Sequence, residues 1–253
     1  MEAILKVDHI EKYYGSAESL TKALDDVSFE AAEGEFISIM GASGSGKTTL
    51  LNCISTIDTV SAGSILLGGV DSTRLKDAEL AQFRGENLGF VFQSFNLLDT
   101  LTLGENISLS LSLKGVPAKK IEAELASIAA RMGLAALLDK FPYQVSGGER
   151  QRCAFARAVV SRPKLILADE PTGSLDSASS RNLLEVMEEL NRSMNATILL
   201  VTHDALAASY AKRILFLKDG KIFNEIIRGE KSRKAFYSEI LDVLALLGGI
   251  TPC

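Results

Sequence analysis

The sequence predicts an α/β fold built on a mainly parallel sheet, and three observations lead there. Short, almost wholly apolar strand runs alternate with helical runs, the pattern of a parallel sheet covered on both faces. The stretch from 94 to about 162 is nearly all helical in pattern, which marks an insertion into that core. The chain has 253 residues, 47% hydrophobic and 23% charged, enough for a single domain over 1–253 that carries a subdomain.

"EFISIMG", Glu35 to Gly41, is a short apolar run that ends in glycine, and "TTLLNCI" continues it with helical character. "GSILLGG", from Gly63, and "NLGFVFQ", ending at Gln93, read as further strands. Within the helical insertion, "PAKKIEAELASIAARMG" starts on proline, stops on glycine and places Ile121, Leu125 and Ile128 on one face. "KLILADE", Lys164 to Glu170, restores the strand pattern, and the helix "SSRNLLEVMEELNRSM" comes after it. The strand "ATILLVTHD" is next, then "RILFLKDGKIFNEII", a hairpin turning on Asp219-Gly220. A tail over 228–253 begins basic and becomes strongly apolar in "YSEILDVLALLGG"; that segment either packs on its own domain or docks a partner.

A net charge of −5 argues against a nucleic-acid binder. Cys53, Cys153 and Cys253 form no C-x-x-C pair, so a reduced, cytosolic chain is expected. The start, "MEAILKVDHIEKYY", has no apolar signal core, and no run approaches the roughly 20 apolar residues of a membrane helix. If the protein works at a membrane, another chain must take it there.

"GASGSGKTT" fits G-x-x-x-x-G-K-[ST] between an expected strand and an expected helix. Gly41, Ser43, Gly44, Ser45 and Gly46 let backbone N–H groups curl around phosphates, and Lys47 adds a full charge. Thr48, with Thr49 behind it, can place a hydroxyl on Mg²⁺. "LILADE" sets Asp169 and Glu170 at the ligand end of a strand. Asp169 is expected to hold Mg²⁺ through water, and Glu170 to polarise the attacking water as general base. Gln93 ends its strand with a neutral amide able to reach Mg²⁺ or that water. His203 ends another strand, expected to neighbour "LILADE", where it could touch a γ-phosphate. A second anion-binding helix start, "VSGGE" from Val145, has no phosphate of its own.

Together these motifs resemble the ATP-binding-cassette (ABC) ATPases, in that family's order: phosphate loop, Gln93 loop, "VSGGE", "LILADE", "SLD" and His203. The resemblance implies the ABC ATPase fold, with a phosphate-loop core, an antiparallel β subdomain and an inserted helical subdomain at 94–162. It implies that Tyr14 of "KYYG", rather than Tyr13, stacks on adenine. Ser146, Gly147 and Gly148 match the signature that closes over the ATP of a second copy of the chain, and Asp176 matches a residue that communicates across that dimer. Val145 and Glu149 stand where most members have Leu and Gln; activity is expected to be kept.

The single short cassette looks like the ATP-hydrolysing subunit of an integral membrane permease, at the cytoplasmic face of the membrane. It is most similar to the macrolide-efflux and lipoprotein-release group, and within it to the bacitracin- and nisin-resistance branch. "SIMGASGSGKTTLLNCISTID", "FNLLDTLTLGENI" and "FYSEILDVLALLGG" carry that likeness. It implies ATP and Mg²⁺ as ligands and a sensor kinase reached through the permease. Lipoprotein release, macrolide efflux and mechanical control of cell-wall hydrolases are the alternatives.

Overall fold

The computed structural model describes residues 3–16 and 19–247. The chain opens with an antiparallel pair, β1 (Ala3–Ser16) and β2 (Ser19–Ala32), which periodicity alone does not reveal. Leu5, Val7 and Ile10 are buried, but register shifts around Ile10 break the strict alternation that identifies a strand in sequence.

β3 (Phe36–Met40) is buried along its whole length and feeds the phosphate loop, which opens α1 (Lys47–Ile54). β4 (Ala62–Leu67) and the short β5 (Val70–Asp71) belong to the antiparallel β subdomain that the resemblance implies. The segment "GSILLGG" does not join the parallel sheet; β4 pairs antiparallel with β1, in a separate sheet ordered β2-β1-β4-β5. Only one face of β4 is fully buried, through Ile65 and Leu67, as befits a sheet with a wetter side.

After α2 (Asp77–Asn87) and β6 (Leu88–Phe92), the helical pattern starts later than the sequence suggests. Residues 94–102 are irregular, and α3 (Leu103–Leu113) begins at Thr102, whose hydroxyl accepts from the Glu105 N–H in a capping box. The fully buried Asn106 holds the irregular segment. Its amide donates to the carbonyls of Leu98, Leu101 and Thr102, and its oxygen accepts from the Leu98 N–H. These bonds satisfy backbone groups that a helix would otherwise pair internally. α4 (Ala118–Arg131) places Ile121, Leu125 and Ile128 against the core, the face its spacing predicts.

α5 (Gly147–Val159), β7 (Leu165–Asp169), α6 (Ser177–Met194), β8 (Ile198–Thr202), α7 (Ala205–Ala208), β9 (Arg213–Lys218) and β10 (Lys221–Ile227) complete the main sheet and its covering helices. The strand order is β10-β9-β3-β8-β7-β6, with β10 antiparallel and the rest parallel. The hairpin turns on Asp219-Gly220, both with positive φ, as the dipeptide predicts. α8 (Arg233–Leu247) forms most of the tail. Phe236, Ile240 and Val243 bury against Met40, Ile214 and Phe216, so this apolar helix packs on its own domain. The closing glycines of the apolar stretch, and Cys253, lie outside the described residues.

The register of the main sheet positions the site. Met40 lies opposite Thr202, Asp169 opposite Val201, and Phe92 opposite Asp169. The four strands therefore end on one line, and Gly41, His203, Glu170 and Gln93 all leave the same edge.

Candidate active site

The phosphate loop is a backbone device. A Cβ at Gly41 would sit 2.2 Å from the Leu217 carbonyl oxygen. Gly46 has φ 102° and would clash at 2.6 Å with the Ala23 carbonyl, so neither position takes a side chain. Gly46 is also the N-cap of α1, with no side chain capping that helix. The first N–H groups of α1 therefore face outward without a protein acceptor, an arrangement suited to phosphate. Ser43, Gly44 and Thr48 are exposed, Ser45 is buried, and Thr49 is half-buried. The Lys47 ammonium folds back over the loop and donates to the Gly41 and Ala42 carbonyls at 2.9 Å each. Burial pulls its pKa down, while Glu170 and Asp169 pull it up.

Asp169 faces the same region. Burial raises its pKa first and the neighbouring Glu170 raises it further, against the Lys47 charge. Its Oδ1 is buried with no hydrogen-bond partner in the protein. A buried carboxylate oxygen without a donor is costly, and a hard divalent cation answers it with oxygen chemistry. The donor set, Asp169 with the exposed Thr48 hydroxyl, therefore fits Mg²⁺.

Glu170 is held on both carboxylate oxygens. His203 Nδ1 lies 2.8 Å from Oε1, and Thr202 Oγ1 donates to Oε2 at 3.2 Å. Its backbone sits at φ 46°, uncommon for a non-glycine residue, with its N–H donating to the Val201 carbonyl. Thr202 is a site residue that no sequence motif marks. It is fully buried, and its hydroxyl also accepts from the Asp204 N–H. A hydroxyl at the end of a strand carries no signal until the neighbouring strand is known.

A cleft of about 860 Å³ gathers Ser43, Lys47, Thr48, Thr49, Glu170 and His203. Gly44 and Gly46 line it as well, whereas Gly41, Ser45, Asp169, Gln93, Tyr14, Asp176 and the signature residues lie outside its lining. Gln93 rests against Gly173, where a Cβ would come within 2.9 Å of its amide nitrogen, and Ser174 Oγ donates to the Gln93 carbonyl. Tyr14 stands beside Thr49 on α1, 41% exposed, with its hydroxyl donating to Asp58 and the Lys12 ammonium 4.9 Å from its ring centre. That leaves an aromatic face open next to the loop. Tyr13 turns its hydroxyl to Glu11 instead.

Ser146, Gly147 and Gly148 form a second cluster at the start of α5. A Cβ on Gly148 would meet Ser179 Oγ at 2.7 Å, which brings the signature beside the start of α6. Asp176 caps α6, accepting from the Ala178 and Ser179 N–H groups and the Ser179 hydroxyl; these bonds lower its pKa. That structural duty comes on top of the communicating role the resemblance implies. Within one chain, then, no signature residue lines the phosphate cleft.

Glu149 is engaged with that signature. Its Oε2 accepts from both the Ser146 hydroxyl and the Ser146 N–H, at 2.7 Å each, and the hydroxyl bond is the leading cause of its lowered pKa. To donate to a phosphate, Ser146 must give up a charge-assisted bond. Glu149→Gln substitutes a weaker neutral acceptor, a difference of about 1 kcal/mol. Because both signatures of a dimer gain, the variant is expected to tighten ATP-dependent self-association roughly thirtyfold, read by size-exclusion titration with ATP. Unchanged or weaker association would mean that Glu149 does not restrain Ser146.

The sequence profile of the ABC transporter family matches residues 24–173. The chain is 54% identical to the ABC transporter ATP-binding protein YxdL of Bacillus subtilis, over 98% of this chain and 96% of that one. It is 48% identical to the bacitracin export ATP-binding protein BceA of Halalkalibacterium halodurans, over 98% of each. The lipoprotein-releasing system ATP-binding protein LolD of Geobacter metallireducens is 43% identical over 88% of this chain and 99% of that one. Among solved structures, the dimeric post-hydrolysis state of the ATP-binding cassette MJ0796 bound to ADP and Pi superposes with a TM-score of 0.80. That match is at 36% identity and covers 88% of this chain and 98% of that one.

Proposed function

The chain belongs to the ABC transporter family, as an ATP-binding subunit and ATPase, and on that premise we propose that it powers a membrane permease protecting a bacterium from peptide antibiotics of the bacitracin and nisin kind. The observation that carries this reading is the extent of the likeness. Similarity to a bacitracin export protein runs over 98% of both chains, and so includes α8. Similarity to a lipoprotein-releasing ATPase takes in 99% of that protein but 88% of this one.

Two copies work head to tail. In each, Lys47 and the N–H groups of α1 bind the phosphates of ATP, and Tyr14 offers its ring to the base. Asp169 and Thr48 would hold Mg²⁺, which when bound would supply positive charge against the phosphates. Glu170 accepts the proton of the attacking water, so His203 must release it and turn to the γ-phosphate. Gln93 reports on that site to the irregular segment 94–102, where Leu98 is 47% exposed and available to a cytoplasmic helix of the permease. Among the described residues no helix is long and apolar enough to cross a membrane; the permease is the proposed membrane-spanning partner. A sensor kinase joins through that permease, and the ATPase works at the cytoplasmic face.

Deleting the gene is expected to lower the tolerated concentration of bacitracin- or nisin-like peptides severalfold, and a Glu170→Gln copy should fail to restore it. Unchanged tolerance together with a defect in lipoprotein sorting would favour the lipoprotein-release reading, which the LolD likeness supports. A cell-separation defect would favour mechanical control of cell-wall hydrolases.

A further inference from the structure

Gln151 is fully buried on α5, one helical turn beyond the signature. Its amide nitrogen donates to two backbone carbonyls, Phe92 at 3.0 Å and Pro171 at 2.7 Å. Phe92 directly precedes Gln93, and Pro171 directly follows Glu170. Because both partners are acceptors, only the amide nitrogen can face them, so the orientation of the side chain is fixed by chemistry. α5 holds the Gln93 segment at a second point. Arg157 donates to the carbonyls of Phe95 and Asn96, two consecutive residues with positive φ, 62° and 49°. A strained backbone of this kind persists only where its surroundings hold it.

We propose that Gln151 is a positioning residue that couples the two half-sites of one chain. When the partner's nucleotide engages Ser146, α5 moves as a rigid rod. One turn is about 5.4 Å of helix with no soft joint. Gln151 carries that movement into the backbone on both sides of the chain's own hydrolytic pair, Gln93 and Glu170. ATP bound in one cleft then sets the geometry of the other, and the two clefts hydrolyse cooperatively. The inference rests on the reading of a site shared between two copies and adds the connection within the chain.

The test separates the two. An isotopically labelled Lys47→Ala subunit is paired with a Glu170→Gln subunit and given ATP with Mg²⁺. Only the Glu170→Gln phosphate loop is filled, and it is covered by the signature of the labelled subunit, whose own cleft is empty. Hydrogen exchange at 93–98 of the labelled subunit is expected to slow about tenfold on adding ATP. With Gln151→Met added to that subunit, the heterodimer should still form and the slowing should vanish; Gln151→Asn, which keeps an amide but cannot span both carbonyls, should behave the same way. In otherwise wild-type protein, Gln151→Met should keep its affinity for a fluorescent ATP analogue, lower kcat severalfold, and drop the Hill coefficient of its remaining activity from near two to near one. Equal slowing with and without Gln151, or no slowing in a heterodimer that has formed, overturns the inference. Failure of ATP to form the heterodimer at all rejects the shared-site reading, and the inference with it.

Discussion

Glu170→Gln is expected to bind ATP as the wild type does, hydrolyse it roughly 10²- to 10⁴-fold more slowly, and accumulate as an ATP-loaded dimer. The substitution is isosteric. The amide oxygen can still accept from one of the two donors that hold Glu170, Thr202 Oγ1 or His203 Nδ1. What it loses is the ability to take a proton from water. It also removes the charge that raises the pKa of Asp169, the residue proposed to hold the metal. Binding therefore survives while the chemical step fails, and two intact nucleotides keep the copies together. Phosphate release gives the rate, a fluorescent analogue gives the affinity, and size exclusion gives the dimer. Turnover within a few-fold of wild type would show that Glu170 is not the general base.

The second large effect is a loss that a mixture reverses. Ser146→Arg is expected to keep its affinity for ATP, since no signature residue lines the phosphate cleft, yet to lose closure and hydrolysis. Lys47→Ala is expected to lose binding, because it removes the ammonium that lies over the phosphate loop. Each variant alone should be nearly inactive. A symmetric dimer places the same residue in both sites, so a heterodimer of the two collects both faults in one site and leaves the other intact. Random mixing should restore activity to at most about a quarter of wild type, for half of the dimers carry one good site of two, and to less than that in so far as each cleft depends on the other being filled. Mixed subunits that neither pair on adding ATP nor regain activity would rule out a site shared between chains.

Much of this was legible locally. The phosphate loop is a contiguous run whose glycines, lysine and flanking elements are all sequence neighbours, so its chemistry can be read without a fold. The strand ends at Asp169, His203 and Gln93 are marked by where apolar runs stop. The helix over Ala118–Arg131 announces itself through i, i+3 and i+4 spacing. Signals failed where the partner is remote. β1 and β2 hide behind register shifts, and β4 has the composition of a buried parallel strand but joins the antiparallel sheet.

By itself the sequence determined the kind of chemistry: a phosphate cradle, a carboxylate pair, a second anion-binding helix start, and their order along the chain. These depend on residue type and short spacing, which are properties of a segment. The tertiary structure alone decided who holds whom. Thr202 reaches Glu170 only because β8 lies beside β7 in a register that ends both strands on one line. Gln151 can tie Phe92 to Pro171 only because α5 packs beneath both strand ends. α8 covers Met40 and Phe216 because the sheet leaves an apolar surface there. Each of these contacts joins residues well separated along the chain. Such pairs form after loop closure and core packing have chosen among many apolar alternatives, and no local pattern encodes that choice.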